Sequence, residues 1–156
     1  MMKTADALRE DVLNLLNGDG AHANFDAATK DLPADLQGKR PPGGEHSPWE
    51  ILEHLRIAQW DILEFVRNSK HVSPEFPRGY WPSTPAPPNA KAWENSVKGF
   101  RADAKALKEL AGNADLLGQH APDGQTLLRK LLLAADHNAY HLGQLVLVRR
   151  LLGAWH

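Results

Sequence analysis

The chain contains no cysteine. That absence excludes disulfides, thiolate nucleophiles, cysteine-type zinc sites and protein-ligated iron–sulfur clusters. Any metal must be held by His, Asp, Glu, backbone or small molecules. Long hydrophobic runs are also missing. In the C-terminal third the longest apolar stretch, Leu131–Ala135, is bounded by Lys130 and Asp136, far short of the ~18 residues a membrane span needs. Neither sign of charge dominates. Eighteen Lys and Arg face nineteen Asp and Glu, for a net charge of −1, so there is no electrostatic footprint for nucleic acid or an anionic membrane. The opening MMKTADALREDV has no apolar core of a secretory signal, and no lipidation motif is visible, so the expected location is cytoplasmic. No alternating β-branched run or Asn-Gly hairpin occurs, and there is no P-loop, GxGxxG or GxSxG.

What is present is helical periodicity. With 156 residues, 42% of them apolar, a single domain over 1–156 is expected. A first helix follows Thr4, with Ala5, Leu8, Val12 and Leu15 at gaps of three and four, and ends at Gly18 and Gly20. Asn24 or Asp26 can cap a short helical stretch reaching Leu32. The next start is the clearest in the chain. Ser47-Pro48-Trp49-Glu50 places Ser at the N-cap, Pro at N1 and Glu at N3, a capping box. Ile51, Leu55, Ala58, Ile62 and Phe65 continue it to about Ser69. Residues 71–88 hold six of the eleven prolines together with Phe76, Tyr80 and Trp81. Flexible linkers lack such aromatics, so this segment reads as an ordered crossover packed on the bundle. A third long helix spans about Ala90 to Leu110, with Gly112 just past its end, and a fourth runs from near Thr126 to before Gly153. The fold class is all-α, a four-helix bundle.

The chain also holds eight histidines. The seam of the last helix reads Leu127, Leu131, Ala134, Asn138, His141, Leu145, Val148, Leu152. Its middle is polar, and His137 flanks it. Burying such groups without partners costs roughly 1–3 kcal/mol each. The i, i+4 spacing puts the His137 and His141 imidazoles on one face, about 6 Å apart along the axis. Two readings stay open there: ligands to one metal ion, or core histidines hydrogen-bonded to carboxylates. Of the other histidines, only His54 lies within a well-marked helix, beside its apolar stripe. Adding it makes a three-His site the better reading. Three protein ligands leave a coordination position open, the pattern of catalytic zinc. Zinc, nickel or another divalent ion suits imidazole. The zincin motif HExxH fails, since Asn138 follows His137, and the last helix has no Glu for a di-iron site.

Four further residues are candidates for the site's surroundings. Asp61, seven residues after His54, is a candidate partner for a ligand His, fixing its tautomer. A solvated helix carboxylate is the plain alternative. Asn138, Tyr140 and Gln144 are candidates for the pocket lining, although Tyr140 can equally pack at the rim. Glu50 is accounted for by its cap, and Glu53 is expected to face solvent. His22 could approach from the segment after the first helix, and Trp81 with Tyr80 could cover the pocket mouth.

The stretches SPWEILEHLRIAQ (47–59) and DHNAYHLGQLVLVRRLLGAW (136–155) resemble the DinB-like (YfiT-like) superfamily of metal-dependent enzymes. VSPEFPRGYWP (72–82) is similar to one branch of it. The likeness covers about residues 5–155. It implies an up-down-down-up bundle whose long crossover joins the second and third long helices. It also implies a metal triad at the positions of His54, His137 and His141. The family's chemistry is divided between transferases or isomerases using low-molecular-weight thiols and hydrolases. With no cysteine here, such a thiol must come from outside the chain. The implied function is therefore that of a divalent-metal-binding transferase or hydrolase acting on a small molecule, with zinc or nickel as the expected ion. Bundles of this size often pair through an exposed apolar helix face, so a homodimer is an expectation for the assembly, though the sequence singles out no such face. The alternative is a non-catalytic metal-binding, sensor or interaction bundle.

Overall fold

A computed structural model describes residues 4–18 and 20–155. Five α-helices follow in order: α1 (Thr4–Asn17), α2 (Phe25–Thr29), α3 (Pro48–Arg67), α4 (Ala92–Asn113) and α5 (Leu127–Leu151). A single 3-10 turn, Arg78–Tyr80, lies in the α3–α4 crossover. Among the described residues there is no strand, only an isolated bridge between His120 and Thr126. Among the described residues no helix is long and apolar enough to cross a membrane.

The helix starts follow local chemistry. Asn24, not Asp26, caps α2, its side-chain oxygen accepting from the Ala27 amide at 2.9 Å. α2 closes at Thr29, short of Leu32. The capping box of α3 is complete. Glu50 accepts from the Ser47 amide at 2.8 Å and Ser47 Oγ accepts from the Glu50 amide at 3.2 Å. Thr126 caps α5 through the Arg129 amide. One expectation at a helix end is corrected. α4 runs through Gly112 to Asn113. A mid-helix Gly costs only about 1 kcal/mol relative to Ala. Here Arg9 from α1 compensates by donating to the carbonyls of Ala111 and Ala114, each at 3.0 Å, which satisfies backbone groups that a helix end leaves open.

Side-chain pairs fix the directions of the helices. Along α3 and α4 the pairs ascend together: Ser96 bonds Glu53, and Gln59 bonds the Phe100 carbonyl. These two helices therefore run the same way. Along α3 and α5 the pairs run in opposite senses, His54 with His141 and Asn138 with Gln59. α1 packs against α4 and α5 on the side away from α3.

Parallel neighbours need a connection as long as the helices. The segment between α3 and α4 supplies it, and it packs on the bundle. Ser47 Oγ donates to the Pro85 carbonyl. A side chain at Gly38 would overlap Ala86, so the crossover lies directly on the segment before α3. The Phe76–Pro77 peptide within it is cis.

The core has two apolar clusters. One joins Trp49, Leu52 and Leu55 to Trp93, Phe100, Leu142 and Leu145. The other joins Leu63 to Val12, Leu107, Leu127, Leu131 and Ala134. Along α3 and α5, Gln59, Asn138 and His141 fall at the junction between them, and His54 lies at its edge, between Leu52 and Leu55 of the first cluster.

Candidate metal centre

α3 contributes His54 to this junction, and α5 contributes His137 and His141. The Nε2 atoms of His54 and His141 are 3.0 Å apart, and those of His54 and His137 are 3.1 Å apart. Among the described residues these three form the group able to hold a metal ion, with one ligand atom from each within 4.8 Å of the others. The two helices run antiparallel here, so one turn of α5 presents both of its rings to the single ring of α3.

The outer nitrogens decide what the inner ones can do. His54 Nδ1 lies 2.8 Å from the Tyr80 carbonyl. A carbonyl only accepts, so Nδ1 carries the proton and Nε2 presents a lone pair. His141 Nδ1 donates to Gln144 Oε1 at 2.6 Å, which leaves its Nε2 as a lone pair too. Two lone pairs facing each other at 3.0 Å repel unless a cation or proton lies between them. Protonation is disfavoured. Burial, with the neighbouring rings, pushes His137 and His141 down to about 4, and burial also lowers His54. A tetrahedral ion with bonds of about 2.0–2.1 Å spaces its ligand nitrogens by about 3.3–3.4 Å. The donor set suits a divalent cation in neutrality, in the tautomers of His54 and His141, and in spacing to within about 0.3 Å.

The crossover supports this centre from one side. The Trp81 ring stacks on His54, with centroids 4.0 Å apart and planes 2° apart, and His46 stacks on the other face of Trp81 at 4.1 Å. Tyr80 donates its hydroxyl to Asp61 Oδ2 at 2.7 Å, and His71 Nε2 lies 2.7 Å from Asp61 Oδ1. Burial, then the Asp61 bond, pushes the Tyr80 phenol up to about 12, so it remains a donor.

Asp61 therefore corrects one expectation. It touches no ring of the triad. Seven residues carry it two turns, about 10.5 Å, along α3 from His54. It acts instead by anchoring Tyr80, whose backbone carbonyl holds His54. Gln144, a candidate for the pocket lining, is instead a direct partner of a triad ring, bonded to His141 Nδ1. Tyr140 lies at the rim, 65% exposed, with its ring edge-on to His141 at 4.9 Å. Asn138 faces inward and donates to Gln59 Oε1 at 2.8 Å.

Glu53 does not face solvent. It pairs with Arg56 and accepts from Ser96 Oγ at 2.7 Å. His22 does not reach the triad. It is exposed, bonds the adjacent Ala23 carbonyl, and edges a separate cavity of about 340 Å³ beside the end of α1.

Sequence reasoning missed Gln59, His46 and His71. Gln59 had a signal, since it is a polar residue spaced four from Leu55 and four from Leu63 on the buried face of α3. The two histidines had none, because loop positions do not follow from periodicity.

A family model for the DinB superfamily matches residues 5–145. The chain belongs to the DinB superfamily. All three triad positions of this DinB-superfamily chain lie within the matched span. A search of curated protein sequences finds no match to it.

Proposed function

We propose that His54, His137 and His141 bind one divalent metal ion, zinc or nickel, and that this DinB-superfamily protein uses it as a transferase or hydrolase on a small molecule. The observation that carries the reading is the convergence of ring nitrogens at 3.0 and 3.1 Å while the outer nitrogens of His54 and His141 are already engaged. Three protein ligands leave coordination room for a substrate or cofactor group, as in catalytic rather than structural zinc sites. When bound, such an ion polarises a substrate group and favours the deprotonated form of a thiol or water. The transferase form of the reading takes its thiol from an external low-molecular-weight cofactor, because the chain has no cysteine.

The chain's own residues then divide the work. The Tyr80 carbonyl and Gln144 hold two rings in the tautomer that keeps Nε2 free. Trp81 covers the outer face of His54 and keeps water from it. Tyr140, exposed beside His141, is placed to meet a substrate at the rim.

Metal analysis of protein purified without a histidine tag tests the site. The wild type is expected to carry about one equivalent of metal, and His137→Ala to carry little. Equal metal content in both would overturn the reading. A screen of small electrophiles with and without added thiols then tests the chemistry. Full metal loading with no turnover in any condition would favour a non-catalytic metal-binding module instead. A homodimer is part of the same proposal, and light scattering reads it.

A further inference from the structure

Two of the triad rings have an outer partner that settles where their proton sits, and the third does not. His137 Nδ1 is buried without a hydrogen-bond partner. So is Asn138 Oδ1, on the very next side chain. The orientation of the Asn138 amide is not free. Gln59 is 1% exposed, and its Nε2 donates to the Phe100 carbonyl at 2.8 Å. That carbonyl can only accept, so the Gln59 amide has one orientation and turns its Oε1 toward α5. Oε1 in turn accepts from Asn138 Nδ2 at 2.8 Å. The Asn138 oxygen is therefore directed away from Gln59, and the ring of the preceding residue, His137, is the neighbour with an unused buried nitrogen.

We propose that Gln59 and Asn138 are positioning residues that hold the proton of His137 on Nδ1, by a relay from the Phe100 carbonyl through both amides to the ring. The relay gives His137 what the Tyr80 carbonyl gives His54 and Gln144 gives His141. Donor and acceptor are complementary, sit on consecutive residues, and both lack any other partner. The other tautomer would place the proton on Nε2, where it donates to His54 Nε2 at 3.1 Å. That bond competes with the relay, but it would leave Nδ1 and Asn138 Oδ1 as two buried acceptors with nothing to accept. The purpose of the relay rests on the metal reading, because a ring protonated on Nε2 cannot ligate through that atom. The tautomer itself does not.

The experiment separates the two. Long-range proton–nitrogen correlation spectra of metal-free, nitrogen-15-labelled protein at pH 7.5 report the tautomer of each imidazole. The wild type is expected to show His137 protonated on Nδ1. Asn138→Leu and Gln59→Leu are each expected to move His137 toward the Nε2–H form and leave His54 unchanged, because its partner is a backbone carbonyl. Cobalt(II) affinity should fall about 10–100-fold in Asn138→Leu. A wild-type His137 protonated on Nε2 would overturn the proposal whether or not the variants fold. So would an unchanged His137 signal in both folded leucine variants. The expected tautomers without cobalt binding by the wild type would sink the metal reading and leave the positioning role standing.

Discussion

The two sides of the triad are built from different materials. On the crossover side, His54 is held by a peptide carbonyl and an indole face, both delivered by a loop. That loop is anchored at Asp61 through a phenol and an imidazole. On the interior side, His137 adjoins amide side chains rooted in helix backbone. The loop side depends on a segment that could move as a unit, whereas the interior side is locked between packed helices. Loss of order should therefore begin at the crossover, and loss of tautomer at the interior.

The largest break in that contrast should come from Asp61→Ala. It strands the Tyr80 hydroxyl and the His71 ring nitrogen, both part-buried, at a cost toward the lower end of the roughly 1–3 kcal/mol of a fully buried donor. The crossover should become cleavable by limited proteolysis, and metal affinity should drop roughly tenfold or more. A crossover as resistant as in the wild type would show that Asp61 is not its anchor.

Acid should act on both sides together. His137 and His141 are held to about 4 when folded, against about 6.5 for a free imidazole. Between these values the unfolded chain binds more protons than the folded one, so stability falls as pH falls from 6.5 toward 4. The Tm of the metal-free protein should decline across that window. The decline should be shallower in a His137→Gln, His141→Gln variant. Parallel curves for the two proteins would contradict the assignment.

Tyr80→Phe sharpens the comparison further. It removes one bond to Asp61 but leaves the Tyr80 carbonyl on His54. A stability loss of about 1 kcal/mol is expected, read by urea unfolding, with metal affinity nearly retained. The smallest effect belongs to Tyr140→Phe. Its ring is 65% exposed, so stability should stay within about 0.5 kcal/mol. A change in turnover without a change in Tm would place its hydroxyl at the substrate.

The helices and the triad were legible in the sequence for definite reasons. Ser47 with Glu50, and Thr126, are caps with chemistry that reads from residue type alone. His137 and His141 declared themselves as a polar break in an apolar seam. Gln59 breaks the α3 seam in the same way and could have been read. The partner of His54 could not, because a backbone carbonyl leaves no mark in residue identity. Asp61 was legible as a carboxylate near the site but not as an anchor, since its two partners lie ten and nineteen residues away in a loop. Glu53 was misplaced for a similar reason. Its pairing with Ser96 follows from α3 and α4 lying side by side and parallel, a tertiary fact rather than a local one.

That parallel pair has an architectural consequence. A chain that ends one helix at the far end of the bundle must return along its length before starting a parallel neighbour. The return stroke is thus obligatory, and here it passes over the histidines. It is tied to the bundle at Tyr80, Trp81 and Pro85, so exposed positions such as Val72 and Phe76 can be rewritten without disturbing helix packing. The topology separates a floor fixed by helix packing from a roof whose exposed positions can be edited.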